Sequence, residues 1–257
     1  MSLLFCDDFL FRGRRMSDFG LVNATFDDSG LSPKEIGLKK TLHTARTGSG
    51  PVTELYGVSY EGPLVFEGIL MRDGVAPIPM ETFREVVRWL TADSYERLYV
   101  SNQFCEGTYF NCVFSNIRLY ENQGLPIGIA FEVTCDAPYA WEELSVTGTS
   151  PMTVTVQTDD LLNQVRPRFR FTCEVSGPAA IFNETTGERL CLDDMLAGET
   201  CKVDTGRFLL ISDIPERNFY SSFNRVWPSL APGENVISFT GFPSLEITAA
   251  LPRKVGY

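Results

Sequence analysis

The chain has 257 residues, 44% of them hydrophobic and 21% charged, so it is long enough for one large or two ordinary domains that build their own cores. Its 22 Lys and Arg stand against 33 Asp and Glu, a net charge of -11, which is opposite to the basic footprint of a nucleic-acid or anionic-membrane binder. The seven cysteines are odd in number and show no Cys-x-x-Cys spacing, and no segment approaches the length of a membrane span. Residues 1–143 carry 12 basic and 20 acidic groups and the remainder 10 and 13, a charge asymmetry expected of two domains.

The opening Met1-Ser-Leu-Leu-Phe-Cys-Asp-Asp lacks a basic start, and its apolar run ends at Asp7, so it is not expected to act as a secretory signal. Free thiols and folding in a reducing cytoplasm are therefore expected, and the sequons at Asn23 and Asn183 carry little meaning. Arg12-Gly-Arg-Arg15 is a basic cluster in the acidic half, read as a solvated turn or a contact for an acidic neighbour or passing DNA. Thr47-Gly-Ser-Gly-Pro51 divides two extended runs, Ile36 to Arg46 and Val52 to Met71, and predicts a long hairpin arm.

From Pro79 to Leu90, Phe83, Val86, Val87 and Leu90 fall at helical spacing with charges between them. This predicts an amphipathic helix opened by Pro79 and closed by Asp93-Ser94, with Trp89 one residue off the apolar stripe. Period-two alternation predicts strands at Ile127 to Cys135, at Met152, Val154 and Val156, and at Phe169, Phe171, Cys173 and Val175. Cys135 and Cys173 then read as buried structural thiols. A boundary is expected between Asp136 and Pro151, giving domains 1–143 and 144–257. A further hairpin is expected at Glu184-Thr-Thr-Gly187.

Catalytic constellations are sparse. His43 is the sole histidine, so a Ser/His/Asp triad would have to use it and a zinc site would have no second imidazole. The pairs Asp7-Asp8, Asp27-Asp28, Asp159-Asp160 and Asp193-Asp194 are adjacent residues, unlike the facing carboxylates of glycosidases or the spaced oxygens of calcium loops. Trp89, Trp141 and Trp227 are scattered as packing residues are. No catalytic, metal-binding or cofactor-binding residue is therefore expected.

The order of features resembles phage distal tail proteins. The resemblance rests on Phe9-Leu-Phe-Arg-Gly13, Ser17-Asp-Phe-Gly-Leu21, the helix ending in Trp89-Leu90, and the Gly128 to Tyr139 segment that closes on Pro138-Tyr139. In the second half it rests on Phe182-Asn-Glu-Thr-Thr-Gly187, Gly198-Glu199, and Trp227-Pro-Ser-Leu-Ala-Pro232-Gly233-Glu-Asn235-Val-Ile237. The match spans nearly the whole chain, weakest from Asp27 to Glu61.

The resemblance implies a mainly β protein: an N-terminal β-sandwich-like domain with one α-helix and a long hairpin arm, then a galectin-like β-sandwich of jelly-roll type. It implies a non-enzymatic virion part, assembled in the host cytoplasm, whose six copies form a ring. The partners implied are the tail tube protein, a tail-tip hub or tail-associated lysin, and receptor-binding proteins or fibres, with double-stranded DNA passing through the channel. Thr41, Leu42, His43, Thr44, Val52, Thr53 and Glu54 are the expected inter-subunit arm. An alternative reading is a carbohydrate-binding module that helps adsorption to the host surface.

Overall fold

The computed structural model describes residues 2–3, 6–24, 40–46, 48, 50, 52–60, 62–102, 105–160, 163–219 and 221–254. The chain divides into two compact units, Met1–Trp141 with Lys254–Tyr257, and Glu142–Arg253. Both are mainly β, and the described residues hold one α-helix.

In the first unit the strands are β1 (Ser2–Leu3), β2 (Asp8–Phe11), β3 (Arg14–Arg15), β4 (Val22–Asn23), β5 (Lys40–Arg46), β6 (Thr53–Tyr60), β7 (Val65–Met71), β8 (Glu96–Ser101), β9 (Thr108–Asn122) and β10 (Leu125–Cys135), with helix α1 (Met80–Leu90) between β7 and β8. The main sheet runs β1-β7-β10-β9-β8-β2-β3, with β4 also on β7. It curls far enough for Phe9 of β2 to meet Phe131 of β10, ring centres 6.4 Å apart, while Phe9 also stacks on Trp89 of α1 at 5.4 Å. One aromatic core therefore fills the space between the curled sheet and the helix.

Close packing dictates composition locally. Gly68 of β7 lies opposite Phe131 in the sheet register, and a Cβ there would sit 2.5 Å from the Phe131 ring. Only glycine leaves room for that ring.

The helix forms over the residues expected, but Pro79 is its N-cap in an extended conformation instead of its first helical residue. It ends at Leu90 with Thr91 as C-cap, short of Asp93-Ser94. Its buried face is Val86, Trp89 and Leu90, so Trp89 is inside at 6% exposed while Val87 is only half-buried. The physical reason is the Trp89 indole, whose Nε1–H donates to the Phe11 carbonyl at 2.7 Å and draws that edge of the helix into the core.

Val52 to Met71 is not one extended run. It breaks at Gly62-Pro63, where Gly62 takes φ 113°, into β6 and β7. Ile36 and the Asp27-Asp28 pair lie outside the described residues, as do Thr47, Ser49 and Pro51 of the expected turn.

The segment expected to hold the boundary is itself a strand, β11 (Ala140–Gly148), whose Ala140 is buried in the first core and whose Leu144 and Val146 pack on the second. The second unit continues with β12 (Met152–Val156), β13 (Arg168–Thr172), β14 (Gly177–Asn183), β15 (Glu188–Met195), β16 (Thr200–Asp204), β17 (Leu209–Ser212), β18 (Gly233–Thr240) and β19 (Leu245–Arg253). One sheet is β12-β18-β14-β15, the other β11-β19-β13-β16-β17. Both contribute to a single core, with Val154, Ile181 and Ile237 from the first and Phe169, Val203 and Ile247 from the second, so the unit is a two-sheet sandwich. β12 and β13 alternate buried and exposed as their sequence requires. β13 stops at Thr172, however: Cys173 remains buried, while Val175 lies in a loop at 75% exposed, beyond the ladder that would have turned it inward.

Candidate interaction surfaces

Among the described residues, strands β5 and β6 pair only with each other, in a two-stranded sheet separate from the rest. A ribbon with no further strand is marginally stable, and its edges can accept pairing. Leu42 at 59% exposed and Tyr56 at 71% exposed project from it together with Val52, Leu55 and Val58. The pairing is antiparallel, Leu42 opposite Val58 and Thr44 opposite Leu55, with a bulge after His43. Thr41, His43 and Thr44 thus lie on β5 and Thr53 and Glu54 on β6, with Val52 just before it, which brings the expected arm residues onto one ribbon.

His43 Nε2 lies 2.9 Å from Ser59 Oγ across this ribbon, and its ring is 6.2 Å from that of Tyr56. The seven cysteines are free thiols. Burial, reinforced by Asp8 and Asp7, pushes the Cys6 thiol up to about 12, and burial also raises Cys112, Cys135, Cys173 and Cys201. Thiolate nucleophiles need the opposite shift.

Adjacent aspartates are used locally. Asp8 pairs with Arg15 at 3.5 Å and accepts from Ser17 Oγ at 2.8 Å, Asp159 lies 3.9 Å from Arg253, and Asp160 holds Asn163. Among the described residues, no three His, Cys, Asp or Glu side chains gather into a group that could hold a metal ion. Among the described residues, no helix is long and apolar enough to cross a membrane.

The Arg12 to Arg15 cluster is absorbed within its own unit. Arg12 donates to the carbonyls of Trp89 and Thr91, at 3.3 and 2.9 Å, and so satisfies the C-terminal end of α1. Arg14 lies over the Phe19 ring at 4.1 Å and within 3.9 Å of Glu85. The sequence shows the charges, while the helix end they serve lies 77 and 79 residues away.

The motif residues fall into separate structural clusters. Trp89 and Leu90 are in the first core. Pro138 and Tyr139 form the turn after β10, where Tyr139 meets Trp141 edge-on at 4.9 Å and the Trp141 Nε1–H donates to Asp136 at 3.2 Å. Gly187, Pro232, Gly233 and Asn235 lie around a buried polar knot in the second sandwich. Asn235, 0% exposed, accepts from the Ala231 N–H at 2.8 Å and donates to the carbonyls of Ala231 and Gly233. Asn183 donates to Asn235 at 3.2 Å and to the Ser229 carbonyl at 2.6 Å, and accepts from the Thr185 N–H at 3.0 Å. Gly187, at φ 74°, closes the Asn183 hairpin in a left-handed conformation that glycine adopts without strain. Burial of Asn183 also removes its sequon from the surface.

Three features of the second unit are assembled only by the fold. Glu199, buried in a Gly-Glu pair, accepts from Ser212 Oγ at 2.6 Å and from Arg217 Nε at 3.1 Å, and Arg217 also reaches Asp194 at 3.2 Å. Next to that network, Phe208, Phe219, Phe223 and Trp227 line a cleft of about 570 Å³, with Trp227 edge-on to Phe223 at 4.8 Å and to Phe208 at 5.7 Å. Phe208, Glu216 and Arg225, all lining it, have φ between 56° and 63°, a conformation rarely taken by side-chain-bearing residues and concentrated at functional sites. Finally, the outer face of the β19-β13-β16-β17 sheet carries Arg168, Arg170, Lys202 and Arg207 around a groove in which Asp204 and Glu246 are the acids.

Comparison with known proteins follows this geometry. The fold is that of the SPP1 Dit protein (gp 19.1), described as a paradigm of the hub adsorption apparatus of phages infecting Gram-positive hosts. The TM-score is 0.63 at 12% identity, over 94% of this chain and 97% of that one. No curated protein matches the sequence at a significant level. Residues 5–137 match the family model of a phage tail protein N-terminal domain and residues 139–249 that of a phage tail C-terminal domain. The chain belongs to the phage tail protein family.

Proposed function

We propose that the protein is the distal tail hub of a long-tailed phage, a structural connector and not an enzyme. Six copies form a ring through their N-terminal domains, residues 1–143, and residues 144–257 form galectin-like domains that project outward to hold fibres or receptor-binding proteins. One ring face docks on the tail tube and the other on the tail-tip hub or tail-associated lysin, and DNA passes through the centre. The ring is completed in the host cytoplasm and remains in the virion.

The observation that carries this reading is the β5–β6 ribbon, which leaves Leu42, Leu55, Tyr56 and Val58 exposed and, among the described residues, has no further strand on either edge. A heterologous contact, one surface of a subunit meeting a different surface of the next, buries such a ribbon in every copy and closes on itself. The excess of 20 acidic over 12 basic groups in residues 1–143 of each copy gives an acidic lumen that repels phosphates and lets a duplex slide. Structural use is supported also by the raised thiols and by His43, whose ring lies between Ser59 and Tyr56 on the ribbon. Deleting Thr47 to Pro51 tests the arm: the expected result is loss of the ring in negative-stain images of concentrated protein, and an unchanged ring removes the arm from its closure.

A further inference from the structure

β17 ends its sheet. It pairs with β16 on one side, and among the described residues no strand pairs with the other side. Edge strands that must not pair are normally shortened, bulged or protected by inward charges. β17 is short, but Leu209 and Ile211 are exposed on it, and Phe208 just before it is 59% exposed.

Two recesses flank this edge, one for each face. Leu209 and Leu210 border the aromatic cleft of Phe208, Phe219, Phe223 and Trp227, and Leu209 and Ile211 border the cationic groove on the outer sheet face. In that groove Arg168 is paired with Asp204 at 2.8 Å and Arg170 with Glu246 at 3.5 Å. Lys202 and Arg207 have no ion pair among the described residues. In a chain of net charge -11, this face carries two more cations than anions.

We infer that the β17 edge accepts an extended segment of a partner protein as an added strand, the segment alternating apolar and acidic residues. Successive side chains of a strand point to opposite faces, so a segment paired with β17 sends one set toward the aromatic cleft and the other toward Lys202 and Arg207. Main-chain hydrogen bonds to β17 supply affinity, while the cleft and the cations supply register and choice of partner. The left-handed Phe208, Glu216 and Arg225 hold the cleft walls in place beside the edge. This inference rests on the proposed outward-holding role of the second unit but needs no ring, so the two fail separately.

The test uses the full chain and a fluorescein-labelled peptide, Glu-Phe-Asp-Leu-Glu-Phe-Asp, followed by fluorescence polarisation. Three controls accompany it: the same peptide N-methylated at alternate amides, its counterpart with lysine at every acidic position, and the protein variant Lys202→Glu with Arg207→Glu. The expected result is saturable binding of the acidic peptide that weakens with salt, with at least tenfold loss in each control. A milder pair, Lys202→Gln with Arg207→Gln, gives an intermediate loss and guards against misfolding of the reversal. Retained binding of the N-methylated peptide overturns strand addition, and equal binding of the lysine peptide overturns the acidic partner. No peptide binding overturns the inference as a whole. Binding of a labelled oligosaccharide that is lost in Trp227→Ala, without peptide binding, gives the cleft to a sugar and overturns it too.

Discussion

The β5–β6 ribbon and the β14–β15 hairpin are both antiparallel pairs of strands adjacent in sequence, yet they have opposite fates. β14–β15 lies in a four-stranded sheet, puts Ile181, Leu190 and Leu192 in the core, and has its turn clamped by Asn183. Among the described residues the ribbon forms no sheet beyond its two strands, and it exposes Leu42, Leu55, Val58 and Tyr56. Turn chemistry makes either hairpin, but burial decides whether it serves the fold or waits for a partner.

Substitutions should separate the two. Asn235→Ala removes the side chain that bonds half-buried Ala231, the Gly233 carbonyl and buried Asn183, and a buried polar group left unpaired costs about 1–3 kcal/mol. A loss of about 3 kcal/mol in the second sandwich is expected, visible by calorimetry as a lower transition for that unit. Trp89→Phe keeps the ring stack on Phe9 but loses the indole hydrogen bond to the Phe11 carbonyl, and about 1–2 kcal/mol should be lost from the first unit in urea unfolding.

Acid should act on the second sandwich as well. A hydrogen bond from Ser222, aided by the Arg217 guanidinium, holds Asp194 below the usual carboxylate value. Burial opposes ionisation of Asp204, but the Arg207 N–H and the Arg168 guanidinium overcome it and lower its pKa too. A carboxyl whose folded pKa is depressed contributes stability above its unfolded pKa and loses it as pH falls through the folded one. The melting temperature of this unit should therefore hold near neutral pH and fall below about pH 4, the unfolded aspartate value. Arg168→Gln should flatten part of that fall.

The ribbon should respond least. Leu42→Ser with Tyr56→Ser removes exposed side chains, so the unfolding free energy of the isolated chain should change by no more than about 0.5 kcal/mol. A larger loss would mean that the ribbon is packed in the monomer.

The sequence disclosed what depends on period and local chemistry. β10, β12 and β13 follow from alternation, and α1 from the spacing of Phe83, Val86 and Leu90. Contacts between distant residues were hidden. Nothing beside Trp89 announces the Phe11 carbonyl that turns it inward, nothing beside Arg12 announces the helix end it satisfies, and Gly68 looks like a weak strand residue until Phe131 is placed above it. The ribbon was legible because exposure leaves a local hairpin to its own turn signals. The aromatic cleft was not, because Phe208, Phe219 and Trp227 converge only through the sandwich.

The central claim, that the ribbon closes a ring, is tested most directly by the mass in solution of the full chain and of the Leu42→Ser, Tyr56→Ser variant, each followed by light scattering as concentration rises. The wild-type mass should climb from 28.7 kDa toward six times that value while the variant remains at one. Equal climbs in both proteins, or a wild type that stays at one copy even at millimolar concentration, would contradict it.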